Sequence, residues 1–262
     1  MLEKARKYEM EESMKITQDN RPVYHFSNPV GWMNDPNGFS EYKGEHHLFF
    51  QYYPYATHWD SMHWGHAKSV DFIKWEYLPV ALAPDQDYDN FGVFSGSAIE
   101  DGEKQLLIYT GVEEKAAPNG EKCIRQNQCV AIGYGVDYEK IENNPAVTAD
   151  MLPEGSSLED FRDPKVWKEN GKYYMVVGSR HSDGSGQIAL FCAEKPEKWE
   201  FAGILDRSEN KIGRMWECPD FYPLDGKQVL MISPQEMEAE GLEFHNGNNT
   251  AFLIGNYDKE KL

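Results

Sequence analysis

Basic charge and long apolar stretches are both scarce in this sequence. Of its 262 residues, 26 are Lys or Arg against 44 Asp or Glu, and the formal net charge is −18. Nucleic acid is therefore not expected as a partner, because phosphate backbones are bound by clustered Lys and Arg. No stretch approaches the roughly 18 consecutive apolar residues of a membrane-spanning helix, so the sequence also predicts no membrane association.

Cysteine is scarce as well, and its spacing carries no C-x-x-C motif. The N-terminal segment 1–10 lacks the apolar run of a secretory signal peptide. Reduced thiols in a cytoplasmic protein are therefore expected. The string His58, His63 and His66 has no cysteine or carboxylate partners at metal-ligand spacing, so no metal site is expected there. The four cysteines are Cys123, Cys129, Cys192 and Cys218.

The sequence is rich instead in aromatic residues and in one repeated turn. From about Val23 onward, short β-branched and aromatic runs alternate with turn dipeptides. Hairpin turns whose glycines recur every 55 to 69 residues predict successive blades of a β-propeller. We interpret residues 1–22 as a weakly helical lead-in and residues 23–262 as the propeller domain. The four turns are Lys43-Gly44, Asp101-Gly102, Asn170-Gly171 and Asp225-Gly226.

A polar cluster precedes each of these turns at a similar distance. Asp35 lies 9 residues before its turn glycine, Ser95 lies 7, Asp163 lies 8 and Glu217 lies 9. Each cluster would then lie near the start of the first strand of its blade, and these starts converge at one end of a propeller channel. The pattern predicts that the three acids share a pocket. The alternative is that they are ordinary turn acids.

The surroundings of Asp35 are typical of an aimed carboxylate. It precedes Pro36, which favours an extended conformation at Asp35. The amides of Asn34 and Asn37 are expected to hydrogen-bond its carboxylate. An ionised carboxylate held in this way is what a glycosidase nucleophile requires.

The other two acids lie in contrasting surroundings. Arg162 and Asp163 are consecutive in a predicted strand, so we expect them to point to opposite faces unless the strand twists, with Asp163 facing the channel. Trp216 precedes Glu217, which suggests a desolvated carboxyl able to hold a proton for general acid catalysis. Paired carboxyls cleave glycosidic bonds with retention or with inversion, and the spacing alone leaves both outcomes open.

These segments resemble signatures of glycoside hydrolase family 32, which includes invertases, sucrose-6-phosphate hydrolases and fructanases. Trp32–Gly38 (WMNDPNG) resembles the first signature of the family. Phe161–Pro164 resembles its arginine-aspartate-proline box, and Glu217–Asp220 resembles its acid/base box. Smaller matches follow the order of the family along the chain, at Phe50–Tyr52, Trp64–Ala67, Phe94–Ala98, Tyr109–Gly111 and Gln126–Ala131.

The resemblance implies both a fold and a set of roles. The fold is all-β, the five-bladed propeller of the family, here with about four blades and with the fifth blade and the C-terminal β-sandwich missing. Asp35 would attack C2 of fructose, Glu217 would act as general acid and then base, and Asp163 would hold the fructose 3- and 4-hydroxyls. No metal or organic cofactor is implied. The fructose pocket would be completed by Asn34, Gln51, Trp59, Phe94, Ser95 and Arg162.

The expected function is that of a retaining β-fructofuranosidase acting on sucrose or sucrose-6-phosphate, with a small-molecule sugar as its partner. Fructan hydrolysis and fructosyl transfer within the same family remain open alternatives. A truncated, inactive sugar-binding propeller and an inverting arabinanase or xylosidase relative are two further alternatives. An unclosed propeller would also expose strand edges, which predicts self-association through that edge.

Overall fold

The computed structural model of the chain describes residues 1–116 and 120–257. The chain forms two compact units, one of Met1–Cys123 with Cys129–Glu142 and one of Ile124–Gln128 with Asn143–Leu262. Each unit contains two antiparallel sheets. The last five residues of the predicted propeller domain, 258–262, lie outside the described residues.

The first unit holds two four-stranded sheets whose strands pair in chain order. The first sheet consists of β1 (Trp32–Tyr42), β2 (Glu45–Tyr53), β3 (His63–Ser69) and β4 (Glu76–Leu82). The second sheet consists of β5 (Gly92–Asp101), β6 (Lys104–Ala116), β7 (Lys122–Gly133) and β8 (Tyr138–Lys140). Two short 3-10 helices, Gln18–Asn20 and Asp87–Asp89, belong to the same unit.

The predicted weakly helical lead-in contains the α-helix α1 (Leu2–Ser13) and the 3-10 helix Gln18–Asn20. Ala5 of α1 is fully buried in a cluster with Phe50 and Val80, so the helix packs on the first sheet. Arg6 donates to the carbonyl of Val80 at 2.9 Å. Within the described residues, no helix is long and apolar enough to cross a membrane. The domain boundary after residue 22 stays a prediction.

The second unit contains one sheet of four strands and one of three. The larger sheet consists of β9 (Ser156–Glu169), β10 (Lys172–His181), β11 (Gly186–Lys195) and β12 (Lys198–Arg207). The smaller sheet consists of β13 (Trp216–Leu224), β14 (Lys227–Pro234) and β15 (Ala251–Gly255), and a 3-10 helix covers Ala149–Met151. Antiparallel meanders of this kind are the form of a propeller blade, so the predicted all-β class is confirmed.

The predicted hairpin turns are present in all four sheets. The turn after β5 differs from the other three, because Asp101 pairs with Lys104 and is the last strand residue. Its two turn residues begin with Gly102 at φ +63°, which is the glycine position of a type II′ turn. Asp101 itself is not among the residues with positive φ. Both residues adopt positive φ, as type I′ turns require, at Lys43-Gly44, Asn170-Gly171 and Asp225-Gly226.

The first strand of every sheet carries a β-bulge at the predicted polar cluster. In β1, Asn34 and Asp35 together lie opposite Gln51, because Met33 pairs with Tyr52 and Pro36 with Phe50. An extra residue of this kind bends the strand and redirects its side chains. The other bulges set Phe94 and Ser95 opposite Thr110, Asp163 and Pro164 opposite Val177, and Cys218 and Pro219 opposite Ile232.

The bulges correct the predicted common register of the acids. Asp35 occupies the second position of its bulge and Asp163 the first, whereas Glu217 directly precedes the bulge of β13. The residue of β9 equivalent to Glu217 is therefore Arg162. Each acid lies at a bulge, but the three side chains leave the strands from three different positions.

Gly178 allows β10 to approach β13 beside one of these bulges. It pairs with Arg162, and a Cβ at this position would lie 2.2 Å from the carbonyl oxygen of Trp216. We expect Gly178→Ala to lower the free energy of unfolding by about 1–3 kcal/mol, because backbone cannot yield as a side chain does. Urea unfolding measures this loss.

Gly255→Ala is the matched control, because a Cβ there would meet no atom within 4 Å. Its free energy of unfolding should change by at most about 0.5 kcal/mol. Equal stability of the two variants would show that the close approach at Gly178 is not a constraint.

Candidate active site

In the first unit, Asp35 presents an exposed carboxylate at the bulge of β1. Among the described residues, the side chain of Asn34 makes its hydrogen bond with Trp32 and not with Asp35, since Asn34 Oδ1 accepts from Trp32 Nε1 at 2.8 Å. The expectation that Asn34 holds the Asp35 carboxylate is therefore wrong in this structure. Asp35 is therefore exposed beside a fixed segment of strand, where a small molecule can reach it.

Asn37 forms its hydrogen bonds with buried neighbours rather than with Asp35. The expectation that Asn37 holds the Asp35 carboxylate is therefore also wrong. In the amide orientation that satisfies both sides, its nitrogen donates to Ser95 Oγ at 3.0 Å and its oxygen accepts from Gln51 Nε2 at 2.9 Å. Gln51 Nε2 also lies 3.1 Å from the carbonyl oxygen of Val93. All three polar side chains are buried, so this network ties the bulges of β1 and β5 together.

Trp59 supplies an exposed aromatic face in the same unit. Its side chain is 44% exposed, and its ring centroid lies 5.9 Å from that of Phe94. Phe91, which the sequence analysis did not select, completes the group with its centroid 6.1 Å from Trp59. Flat rings held in this way suit the apolar face of a sugar.

In the second unit, Arg162 is held among acceptors. Its Nε donates to Glu217 Oε1 at 2.8 Å, and its Nη1 donates to Asp160 Oδ1 at 3.0 Å and to Gln126 Oε1 at 3.2 Å. The Arg162 side chain is only 13% exposed. A fixed guanidinium of this kind remains charged at any working pH, so it is a permanent donor to Glu217.

Asp163 is buried at the first position of its bulge, with φ +64°. Its Oδ2 accepts the backbone N–H of Cys218 at 2.9 Å, and the Cys218 thiol Sγ lies 3.5 Å from the same oxygen. Burial raises the pKa of Asp163 to about 6, opposed by the charge of Arg162 and by the Cys218 N–H. Asp163 can therefore change its charge near neutral pH.

The predicted opposite orientation of Arg162 and Asp163 is wrong. Both side chains reach β13, Arg162 at Glu217 and Asp163 at Cys218. The bulge of β9 lies between Arg162 and Lys165, and it interrupts the alternation on which the prediction relied.

The predicted desolvation of Glu217 by Trp216 is also wrong. Trp216 is buried in the core, where its indole Nε1 donates to the carbonyl of Ile212 at 2.7 Å. Glu217 points to the other face, and its side chain is 25% exposed. Gln235 Nε2 lies 2.6 Å from Glu217 Oε2, so Arg162 and Gln235 each hold one oxygen of this carboxylate.

Sequence reasoning missed Gln235 because of the bulge. The turn pairs Leu224 with Lys227, and counting back without interruption sets Glu217 opposite Pro234. The bulge sets it opposite Ser233 instead. Gln126 and Asp160 were also missed as partners of Arg162, although Gln126 begins one of the segments that carry the family resemblance.

The histidine string does not gather around a shared centre. His63 and His66 are buried on β3, and His66 Nε2 lies 2.9 Å from His47 Nδ1. Among the residues that the structure describes, no group of three or more His, Cys, Asp or Glu is arranged to hold a metal ion.

Comparison with known proteins identifies a family for this arrangement. The family model described as glycosyl hydrolases family 32 N-terminal domain matches residues 25–262. A sucrose-6-phosphate hydrolase from Zymomonas mobilis is 42% identical over 248 residues, which cover 90% of this chain and 47% of that protein. The chain thus spans about half the length of the curated relatives that it matches.

Solved structures agree with the sequence match. A Bombyx mori GH32 β-fructofuranosidase has a TM-score of 0.88 at 40% identity, covering 99% of this chain and 53% of that one. A mutant of the same enzyme is known in complex with sucrose. A fructan 1-exohydrolase from Cichorium intybus has a TM-score of 0.73 at 32% identity, covering 94% of this chain and 46% of that one.

These similarities confirm the predicted propeller-family fold with about four blades. They also contradict the alternative of an arabinanase or xylosidase relative, because the family 32 model matches nearly the whole chain. The chain belongs to glycoside hydrolase family 32.

Proposed function

We propose that this chain is the catalytic part of a retaining β-fructofuranosidase that cleaves sucrose or sucrose-6-phosphate. Asp35 is the nucleophile, Glu217 is the general acid and base, and Asp163 stabilises the transition state. Arg162 orients Glu217, while Asn34, Gln51, Trp59, Phe94 and Ser95 shape the fructose pocket. The names of the family relatives, among them a sucrose-6-phosphate hydrolase, support this assignment.

One observation carries the proposal: the carboxyl cluster of the second unit. Glu217 is held at both oxygens by Arg162 and Gln235, next to the buried carboxyl of Asp163. A carboxyl aligned at both oxygens can transfer a proton along a fixed direction. A second, buried carboxylate beside it provides the negative charge that an oxocarbenium-like transition state needs.

The reaction would proceed in two balanced steps. In the first, the Asp35 carboxylate forms a bond to C2 of the fructosyl ring while the bond from C2 to the glucosyl oxygen breaks, and Glu217 gives its proton to that oxygen. In the second, water attacks C2, its proton passes to Glu217, and Asp35 departs as a carboxylate. This requires the carboxyls of Asp35 and Glu217 on either side of one glycosidic bond.

Fructan hydrolysis is the second candidate, because the fructan 1-exohydrolase of Cichorium intybus is also similar to the chain. Fructosyl transfer differs only in the acceptor that takes the fructosyl group from Asp35. A sugar-binding role without turnover is the remaining alternative. The cytoplasmic location and the self-association through a propeller edge stay predictions.

Replacement of the proposed acid should discriminate between leaving groups. Glu217→Gln cannot donate a proton, so kcat/KM for sucrose is expected to fall about 10²- to 10⁴-fold. Fructosyl fluoride, whose leaving group departs without a proton, should lose far less. Glu197→Gln is the control, because Glu197 is an exposed carboxyl between β11 and β12. Equal losses on the two substrates would contradict the acid/base role of Glu217.

Replacement of the proposed nucleophile should abolish turnover. Asp35→Asn cannot form the fructosyl ester, so sucrose cleavage should fall by at least about 10³-fold, measured as release of glucose and fructose. In the wild type, NMR should detect β-fructofuranose as the first product if configuration is retained. An α-anomer would instead indicate inversion, and an active Asp35→Asn variant would remove Asp35 from the mechanism.

The pH dependence should report the ionisation of Asp163. Its ionised form is needed to accept the fructose hydroxyls, and its pKa is raised to about 6, so kcat/KM should fall as the pH is lowered through that value. The Cys218 thiol, 3.5 Å from Oδ2, favours the ionised form. Cys218→Ala should therefore shift this fall to higher pH.

Cys218→Ser is the matched control for that shift. A hydroxyl retains the donor, and the backbone N–H bond to Asp163 persists in both variants. In the serine variant, kcat/KM should fall at the same pH as in the wild type or at a lower one. Coinciding profiles for the alanine and serine variants would show that the thiol does not act on Asp163.

A further inference from the structure

Gln235 occupies a fixed place immediately after β14. Its backbone N–H donates to the carbonyl of Met215 at 2.8 Å, and its carbonyl accepts from the N–H of Arg214 at 2.9 Å. A Cβ on Gly213 would lie 2.4 Å from the carbonyl oxygen of Gln235, so the glycine permits this close approach. The backbone of Gln235 is thus held against the segment that leads into Glu217.

The register of the hairpin directs the side chain of Gln235 at Glu217. Glu217 pairs with Ser233, and residues directly opposite in an antiparallel pair share a face. Gln235, two residues beyond Ser233, lies on that same face as a diagonal neighbour, within reach of a long side chain. The distance of 2.6 Å from Nε2 to Glu217 Oε2 is the result.

The two partners of Glu217 differ in what they can do with a proton. Arg162 Nε, 2.8 Å from Oε1, is a donor in every state, since a guanidinium has no acceptor. A proton on Oε1 would therefore lie against the N–H hydrogen of Arg162. An amide carries both a donor and an acceptor, so Gln235 can donate to Oε2 when Glu217 is ionised. After its amide rotates, it can accept from a protonated Oε2.

We propose that Gln235 is a positioning residue that holds Oε2 of Glu217 in both protonation states and confines the catalytic proton to that oxygen. This inference rests on the proposed function, in which Glu217 is the acid and the base. Arg162 fixes the carboxylate at Oε1, while Gln235 adapts at Oε2 as the proton leaves and returns. Neither partner itself exchanges a proton with the substrate.

Kinetics with two substrates test the role of Gln235. Gln235→Leu removes both the donor and the acceptor, so kcat/KM for sucrose is expected to fall about 10- to 100-fold. A loss of this size corresponds to the free energy of one hydrogen bond to a charged group. The loss on fructosyl fluoride should stay below about threefold, since that substrate needs no proton. Gln228→Leu, at the other end of β14, is the control and should match the wild type on both substrates.

A carboxyl NMR signal tests the same inference without turnover. With 13C-carboxyl-labelled glutamate, the Glu217 signal is the one that disappears in Glu217→Gln. This signal should move in Gln235→Leu, because the variant removes the hydrogen bond to Oε2. It should keep its position in the control variant Gln228→Leu.

The outcomes separate this inference from the proposed function. A wild type that cleaves neither substrate, or an unaffected Glu217→Gln, would refute the proposed function. An unmoved Glu217 signal in Gln235→Leu would overturn the role of Gln235 whether or not the chain turns over. Equal losses on sucrose and fluoride would also overturn it, because they would indicate a general distortion instead of an effect on proton transfer.

Discussion

The bulge in the first strand of each sheet is the constraint on which the polar clusters of both units depend. Two residues lie opposite one at Asn34 and Asp35 in β1 and at Asp163 and Pro164 in β9. A shift of one residue in an antiparallel pair moves every later side chain to the other face. In β13 this shift brings Glu217 and Gln235 onto one face. Without it, Gln235 would lie on the opposite face from Glu217.

The second unit then arranges its charges around Arg162. The guanidinium contacts Glu217 and Asp160, and its charge opposes the effect of burial on the pKa of Asp163. In a chain with a net charge of −18, this local cation allows acidic side chains to lie close together without strong mutual repulsion. The first unit uses another device, in which buried amides fix the strands and leave the Asp35 carboxylate exposed.

Strands and turns could be predicted from the sequence because their signals are local. A dipeptide such as Asn170-Gly171 specifies its own backbone, and the flanking alternation specifies the strands. The bulges could not be predicted, because an extra residue shows only when the partner strand is present. The expected partners of Asp35 and the expected faces of Arg162 and Asp163 failed for this reason. Gln235 lies beyond the strand that the turn predicts, and no local signal marks it.

The two units are interleaved along the chain, so no single cut in the sequence separates them for expression on their own. Ile124–Gln128 belongs to the second unit, although it lies within β7 and is flanked by residues of the first. A single cut before residue 124 would remove Cys129–Glu142 from the first unit, and with it β8. A single cut after residue 142 would leave Ile124–Gln128 with the wrong half. Separate expression of either unit therefore calls for a circular permutation or a designed replacement strand rather than a simple truncation.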